Sequence, residues 1–234
     1  MSLVPSPPVP ADWRPTVIAC ATVIEEMLPL LPDAVTTHTL ALGLHTYPAK
    51  LRLALQEAID ASSDASVILL GYGLCSLAIV GLQARQCPLV VPKVDDCIAI
   101  FLGSRSAYLT ESRGEPGTYY LTKGWIEGGD GSPFAEYDRM VRRFGPERAE
   151  RMMHVLLKNY TRLALINTGQ YEQERYRDYA RRTAERFGLR YEEIDGSTAL
   201  VEKMIFGPWD DDFLVVPPGQ SITYEDFFPI KEPG

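Results

Sequence analysis

Three cysteines and a histidine fall at matching places along this chain: Cys20, Cys75, Cys97 and His45. Each closes or follows a short apolar run of the kind that forms a buried strand. Cys20 ends the run in "TVIACA" (16–21), and His45 follows "AVTTHTLALG" (34–43). Cys75 follows "VILLGYG" (67–73), and Cys97 follows "PLVVPKV" (88–94). In a parallel sheet the carboxyl ends of all strands lie along one edge, so residues far apart in sequence can converge there. Three thiolates and an imidazole suit tetrahedral Zn2+. Three thiolates alone can hold an iron–sulfur cluster and leave one iron open to substrate. Helix starts at Cys75 and Cys97 are expected to lower both thiol pKa values and favour the thiolate. Used differently, Cys75 or Cys97 is a nucleophile and His45 its base. No Cys-x-x-Cys pair is present, so the same thiols also read as small buried hydrophobes.

The neighbours of these residues extend the chemistry. Asp95 and Asp96 precede Cys97 as ligands, as a general base (Asp96 in particular), or as carboxylates at a helix start. Cys87 precedes its strand and belongs at the opposite edge. Lys93 and Arg105 are candidate contacts for an anionic substrate. Gly71, Gly73 and Ser76 have part of the spacing of a dinucleotide loop, but the third glycine and the acidic residue after the next strand are missing. A phosphate cradle is therefore the weaker reading of Gly73, and a tight turn that seats Cys75 the stronger.

The elements needed to place these residues are legible in the periodicity. Strands at 16–21, 34–43, 67–71 and 88–94 alternate with helices at 22–31, 45–62, about 76–84 and 95–104. Residues 105–131 break the rhythm with several glycines and the aromatics Tyr119, Tyr120 and Trp125, in a short strand or ordered loop. Those rings form either a wall over a ligand or part of the core. A helical pair follows, with Ser132 and Pro133 at its start and Gly145-Pro146 at its break. Alternation then resumes with strands at 162–168, 189–197 and 212–219. Asn167-Thr168-Gly169 and Asp195-Gly196-Ser197 close two of these strands, where backbone N–H groups can meet an anion and Thr168 or Ser197 can cap a helix. His38 and His154 read as structural.

The fold class implied is α/β: two Rossmann-like β/α lobes with mostly parallel sheets facing a cleft, joined by the aromatic segment and the helical pair. A single long doubly wound sheet is the alternative. Residues 1–15 read as a flexible Pro-rich arm, 16–131 as the lobe with the Cys/His cluster, and 132–234 as the helical pair with the second lobe and tail. A net charge of -8 over 234 residues argues against nucleic acid or an anionic membrane as partner. No apolar run is long enough for a transmembrane helix, and no signal peptide is legible. Four cysteines without a secretory signal fit a reducing cytoplasm.

The segments "ACA", "LHTYP", "GYGLCS", "DDCIAIFLGS" and "PGTYYLTKGWIE", with "LALINTG" and "DGSTALVEKMIFGPWDDDFLVVPPG" in the second half, resemble the family catalogued as domain of unknown function 1638. That label assigns no reaction. The resemblance implies a setting beside corrinoid-dependent methyltransferases, including trimethylamine- and betaine-type enzymes, and their corrinoid proteins. It matches the family's cysteines to Cys20, Cys75 and Cys97 and its histidine to His45. Family members often carry a polar residue or glycine soon after the Cys75 equivalent, where this chain has Leu77-Ala78. The expected function is a metal-binding enzyme or accessory protein in methyl or one-carbon transfer, holding Zn2+ or an iron–sulfur cluster. The alternative is a non-catalytic module that binds a small ligand or docks a corrinoid protein through the charged helix at 170–187. The aromatic segment also suits a homodimer interface.

Overall fold

The computed structural model describes residues 13–75, 77–128 and 132–228. Nearly all of the expected arm therefore lies outside the described residues. Its last part belongs to the fold: Trp13 packs against the core and the first strand starts at Pro15.

The chain forms a mixed α/β structure with two sheets. The first has five strands in the order β2-β1-β3-β4-β8, with ranges β1 Pro15–Cys20, β2 Thr36–Leu40, β3 Val67–Gly71, β4 Leu89–Pro92 and β8 Phe213–Val216. The first four are parallel, and β8 joins β4 antiparallel. Central strands covered on both faces must be apolar throughout, and β1, β3 and β4 are buried at every residue. The edge strand β2 is half exposed, and His38 stands there opposite Ile18.

Helices cover both faces of this sheet. α1 (Ala21–Met27) starts directly on Cys20. α2 (Pro48–Ala61) opens on a proline at its first position and buries Leu51, Leu55 and Ile59, which recur every four residues along one face. α3 (Cys97–Phe101) follows β4. Of the helix expected over about 76–84, residues 77–81 form turns instead, and Ser76 lies outside the described residues. Backbone bonds of this stretch go to the tail: Gly81 N–H reaches Ile222 O at 2.8 Å, and Ala84 N–H reaches Gln220 O at 2.9 Å.

The second sheet is parallel, β5-β6-β7, from Thr118–Leu121, Arg162–Asn167 and Arg190–Asp195. Its core is covered by α6 (Pro133–Phe144), α7 (Pro146–Leu157) and α8 (Glu174–Phe187). Between the sheets, residues 105–131 hold more structure than expected: helix α4 (Arg105–Gly114), strand β5, then helix α5 (Lys123–Gly128).

The chain does not finish in the sheet where it resumed its alternation. α9 (Ala199–Phe206) buries Leu200, Val201, Met204 and Ile205 in the first core, and β8 pairs with β4. The strands of 162–218 are thus shared between the two sheets rather than forming one set. An apolar strand such as "FLVV" satisfies either sheet, so periodicity alone left its partner open.

Candidate functional site

The four parallel strands deliver their carboxyl ends to a cavity of about 340 Å3. Cys20, His45, Cys75, Asp95, Asp96, Cys97 and Trp125 line it, together with Tyr72 and the apolar side chains of Leu42, Leu51 and Ile98. Cys20 closes β1, and His45 lies in a 3-10 turn (Leu42–Thr46) just past β2. Cys75 sits on the loop after β3, and Cys97 is the first residue of α3, the helix that follows β4. Cys87 precedes β4, is buried and is not among the lining residues. Strand-end placement thus brings together the residues it was used to select.

Gly73 makes the approach of the two loops possible. A Cβ there would lie 2.8 Å from Val94 O and 2.9 Å from both Cα and N of Asp96. Those are backbone atoms with nowhere to move, so only glycine fits. Leu74 N–H then bonds Val94 O at 3.0 Å, and Cys75 N–H bonds Asp95 O at 3.3 Å. The same loop holds Cys75 at φ 42° and Leu77 at φ 66°, in the left-handed region where side chains with Cβ are strained. Gly73 is thus a spacer between loops.

The remaining side chains are oriented by their partners. Asp96 caps α3, its Oδ1 accepting from Ile98 N–H at 2.9 Å, and Tyr108 Oη–H reaches its other oxygen at 3.4 Å. His45 Nδ1 lies at hydrogen-bond distance from Leu42 O. A carbonyl only accepts, so Nδ1 carries the proton and Nε2 keeps the lone pair that a ligand or base needs. Trp125 is set edge-on to Phe101 with centroids 5.7 Å apart.

The electrostatics run against the expected lowering of the thiol pKa values. Burial pushes Cys75 up to about 12, with the Cys20 and Asp96 charges adding to the rise. Burial, then Cys20, Cys75 and Asp96, pushes Cys97 well up. Cys20 is raised by burial too, partly offset by its 3.0 Å contact with Thr22 Oγ1. Asp96 is raised by burial against the backbone N–H groups it accepts from. Among the described residues no helix follows Cys75, and α3 has only five residues, so little dipole is available to oppose desolvation. Neither Cys75 nor Cys97 has the depressed pKa of an activated nucleophile.

Among the described residues, no three of the Cys, His, Asp and Glu side chains stand grouped as a preformed metal site. The donor types fit Zn2+ or iron, whereas the spacing requires the thiols to draw together on loading. Among the described residues, no Lys or Arg lines the cavity. Arg105 stands beyond it and is engaged by both oxygens of Asp95, at 3.0 and 3.2 Å, instead of awaiting an anion.

The second group of candidate residues does structural work away from the cavity. Asn167 bonds Glu193 Oε1 at 2.9 Å and accepts from Gly169 N–H at 2.9 Å. Thr168 Oγ1–H donates to Glu26, and Ser197 N–H bonds Phe101 O at 2.8 Å. Tyr120, on β5, has a buried hydroxyl and does not line the cavity. α8 and α9 take Gln173 and Thr198 as caps, so Thr168 caps neither. Thr168 and Ser197 thus tie the second sheet to elements packed on the first, whereas the bonds of Asn167 stay within the second. Tyr72, by contrast, lines the cavity, and its place between two glycines of a turn gives no sequence signal of that.

The family model described as "Protein of unknown function (DUF1638)" matches residues 39–205, well over half of the chain. The chain belongs to the DUF1638 family. No curated protein and no solved structure matches it. The matched DUF1638 region contains His45, Cys75, Asp96, Cys97 and Trp125, while Cys20 precedes it.

Proposed function

We propose that this DUF1638 protein is a metal-dependent enzyme or accessory protein whose centre is held by Cys20, Cys75 and Cys97, with His45 as fourth ligand or as base. The observation that carries the reading is the convergence of three thiols and an imidazole on one cavity at the carboxyl edge of a parallel sheet. Three neighbouring thiols beside Asp96 oppose one another's ionisation, and a bound cation is the species that reverses that balance. When bound, Zn2+ or an iron–sulfur cluster would supply Lewis acidity toward a small substrate.

The chain's own residues do the rest. Leu42, Leu51, Ile98 and Trp125 give the substrate an apolar enclosure. His45 Nε2 takes up a proton, and Asp96, whose pKa burial raises, is the second group placed to handle one. Trp125 comes from α5, next to the second sheet, which supports two lobes meeting over the cavity. The reaction class we attach is methyl or one-carbon transfer beside a corrinoid protein or methyltransferase, and the family resemblance is what supports it.

Metal analysis and an ultraviolet–visible spectrum of anaerobically purified protein test the reading. Stoichiometric Zn without colour, or Fe with a broad thiolate-to-iron band, is the expected result. The Cys97→Ala variant should lose the metal. Protein free of both metals, with all four thiols titrating freely, overturns the proposal.

A further inference from the structure

Tyr72 stands between the two glycines of the Cys75 loop and is only 3 % exposed. It lines the cavity, yet its hydroxyl is buried without a hydrogen-bond partner among the described residues. Leaving a buried hydroxyl unpaired is costly, and such a group in a functional cavity asks what completes it. Tyr72 shares the lining of this cavity with Cys20, Cys75 and Cys97. A phenol keeps its proton at neutral pH and so serves as a donor. Neutral thiols are weak acceptors, whereas thiolate sulfur accepts strongly. The hydroxyl therefore lacks a good partner while the thiols are protonated and acquires one when they ionise on a metal.

We infer that Tyr72 is a positioning residue of the thiolate centre, donating its Oη–H to a cysteine sulfur once a divalent metal is bound. The inference rests on the metal centre proposed above and deepens it by assigning an outer partner to the sulfurs. It also requires effects of opposite sign in the two states. Removing the hydroxyl relieves an unpaired group in the metal-free protein and removes a supporting bond from the loaded one. Tyr120 supplies the internal control, because its hydroxyl is also buried but lies off the cavity.

The test uses the full chain, reduced, stripped of metal and titrated anaerobically with Co2+ alone, following the sulfur-to-cobalt charge-transfer band. Tyr72→Phe should weaken Co2+ binding about 10–100-fold, as loss of an outer partner does. Its band should move to lower energy, since a hydrogen bond lowers the sulfur donor level. Metal-free Tyr72→Phe should melt at or above the wild-type temperature, and Tyr120→Phe should bind Co2+ like wild type. Wild-type affinity and an unmoved band in Tyr72→Phe would overturn the role of Tyr72 and leave the centre standing. A metal-free Tyr72→Phe that melts well below wild type would make the residue structural and overturn the inference. Wild-type protein that develops no charge-transfer band overturns the centre and this role with it.

Discussion

Asp96 shows how one side chain serves both fold and site. Its Oδ1 accepts from Ile98 N–H and so starts the helix that carries Cys97, while the carboxyl group lines the cavity. Burial raises its pKa, and its charge in turn raises the pKa of Cys75 and Cys97. The cap needs an acceptor oxygen and not a charge. Asp96→Asn keeps that oxygen and should melt at or above the wild-type temperature. Asp96→Ala leaves the first turn of α3 open and should cost about 1 kcal/mol. Thermal or urea melts of the two variants separate the functions. If Asp96→Asn proves as weak as Asp96→Ala, the carboxylate charge holds the turn and its repulsion of the thiols is secondary.

At the scale of elements, the decisive feature is the contact between the loops after β3 and β4, with no room for a Cβ on Gly73. Gly73→Ala should destabilise the protein by about 1–3 kcal/mol, the range for a group forced into packed surroundings. It should weaken metal loading more than a surface Gly114→Ala control, where a Cβ meets nothing within 4 Å. Equal stability and equal metal content in the two variants would remove the loop contact from the account. The same loops show what was legible in sequence. Apolar runs placed β1 to β4, and parallel topology then fixed the edge on which Cys20, His45, Cys75 and Cys97 meet. Less legible were features set by tertiary contacts. The helix expected after Cys75 gives way to turns bonded to the tail, and α4 lay hidden in a glycine-rich stretch. The thiol pKa values rise because burial, which local sequence does not report, outweighs the dipole of a five-residue helix. Asn167, Thr168, Gly169 and Ser197 do lie at strand ends, but of the other sheet, and pairing between sheets is not written in the periodicity of either.

Across the whole molecule, α1 ties the two sheets together. It begins on Cys20, and a Cβ on Gly124 of α5 would lie 2.6 Å from Thr22 Cα. Glu25 pairs with Lys123, and Glu26 accepts from Thr168 at the end of β6, with Tyr171 beside it. Glu26 is 1 % exposed and its Oε1 has no partner, so burial dominates the hydrogen bonds and raises its pKa from 4.5. The folded state therefore holds this proton more tightly than the unfolded chain does. Its contribution is fully present below pH 4.5 and is lost as pH rises toward the folded value. Each such group contributes a slope of at most about 1.4 kcal/mol per pH unit within its window. Asp96, also raised, adds a second contribution of the same sign. Denaturant unfolding between pH 5 and 8 should show wild-type stability falling as pH rises. Glu26→Gln keeps an oxygen for Thr168 and removes the buried charge, so it should be more stable than wild type at pH 8 and show a shallower slope. A variant with the wild-type slope would mean that Glu26 is already ionised in the fold at pH 5, with the Thr168 and Tyr171 bonds offsetting its burial, and the pH dependence would then belong to the cavity rather than to the joint between the sheets.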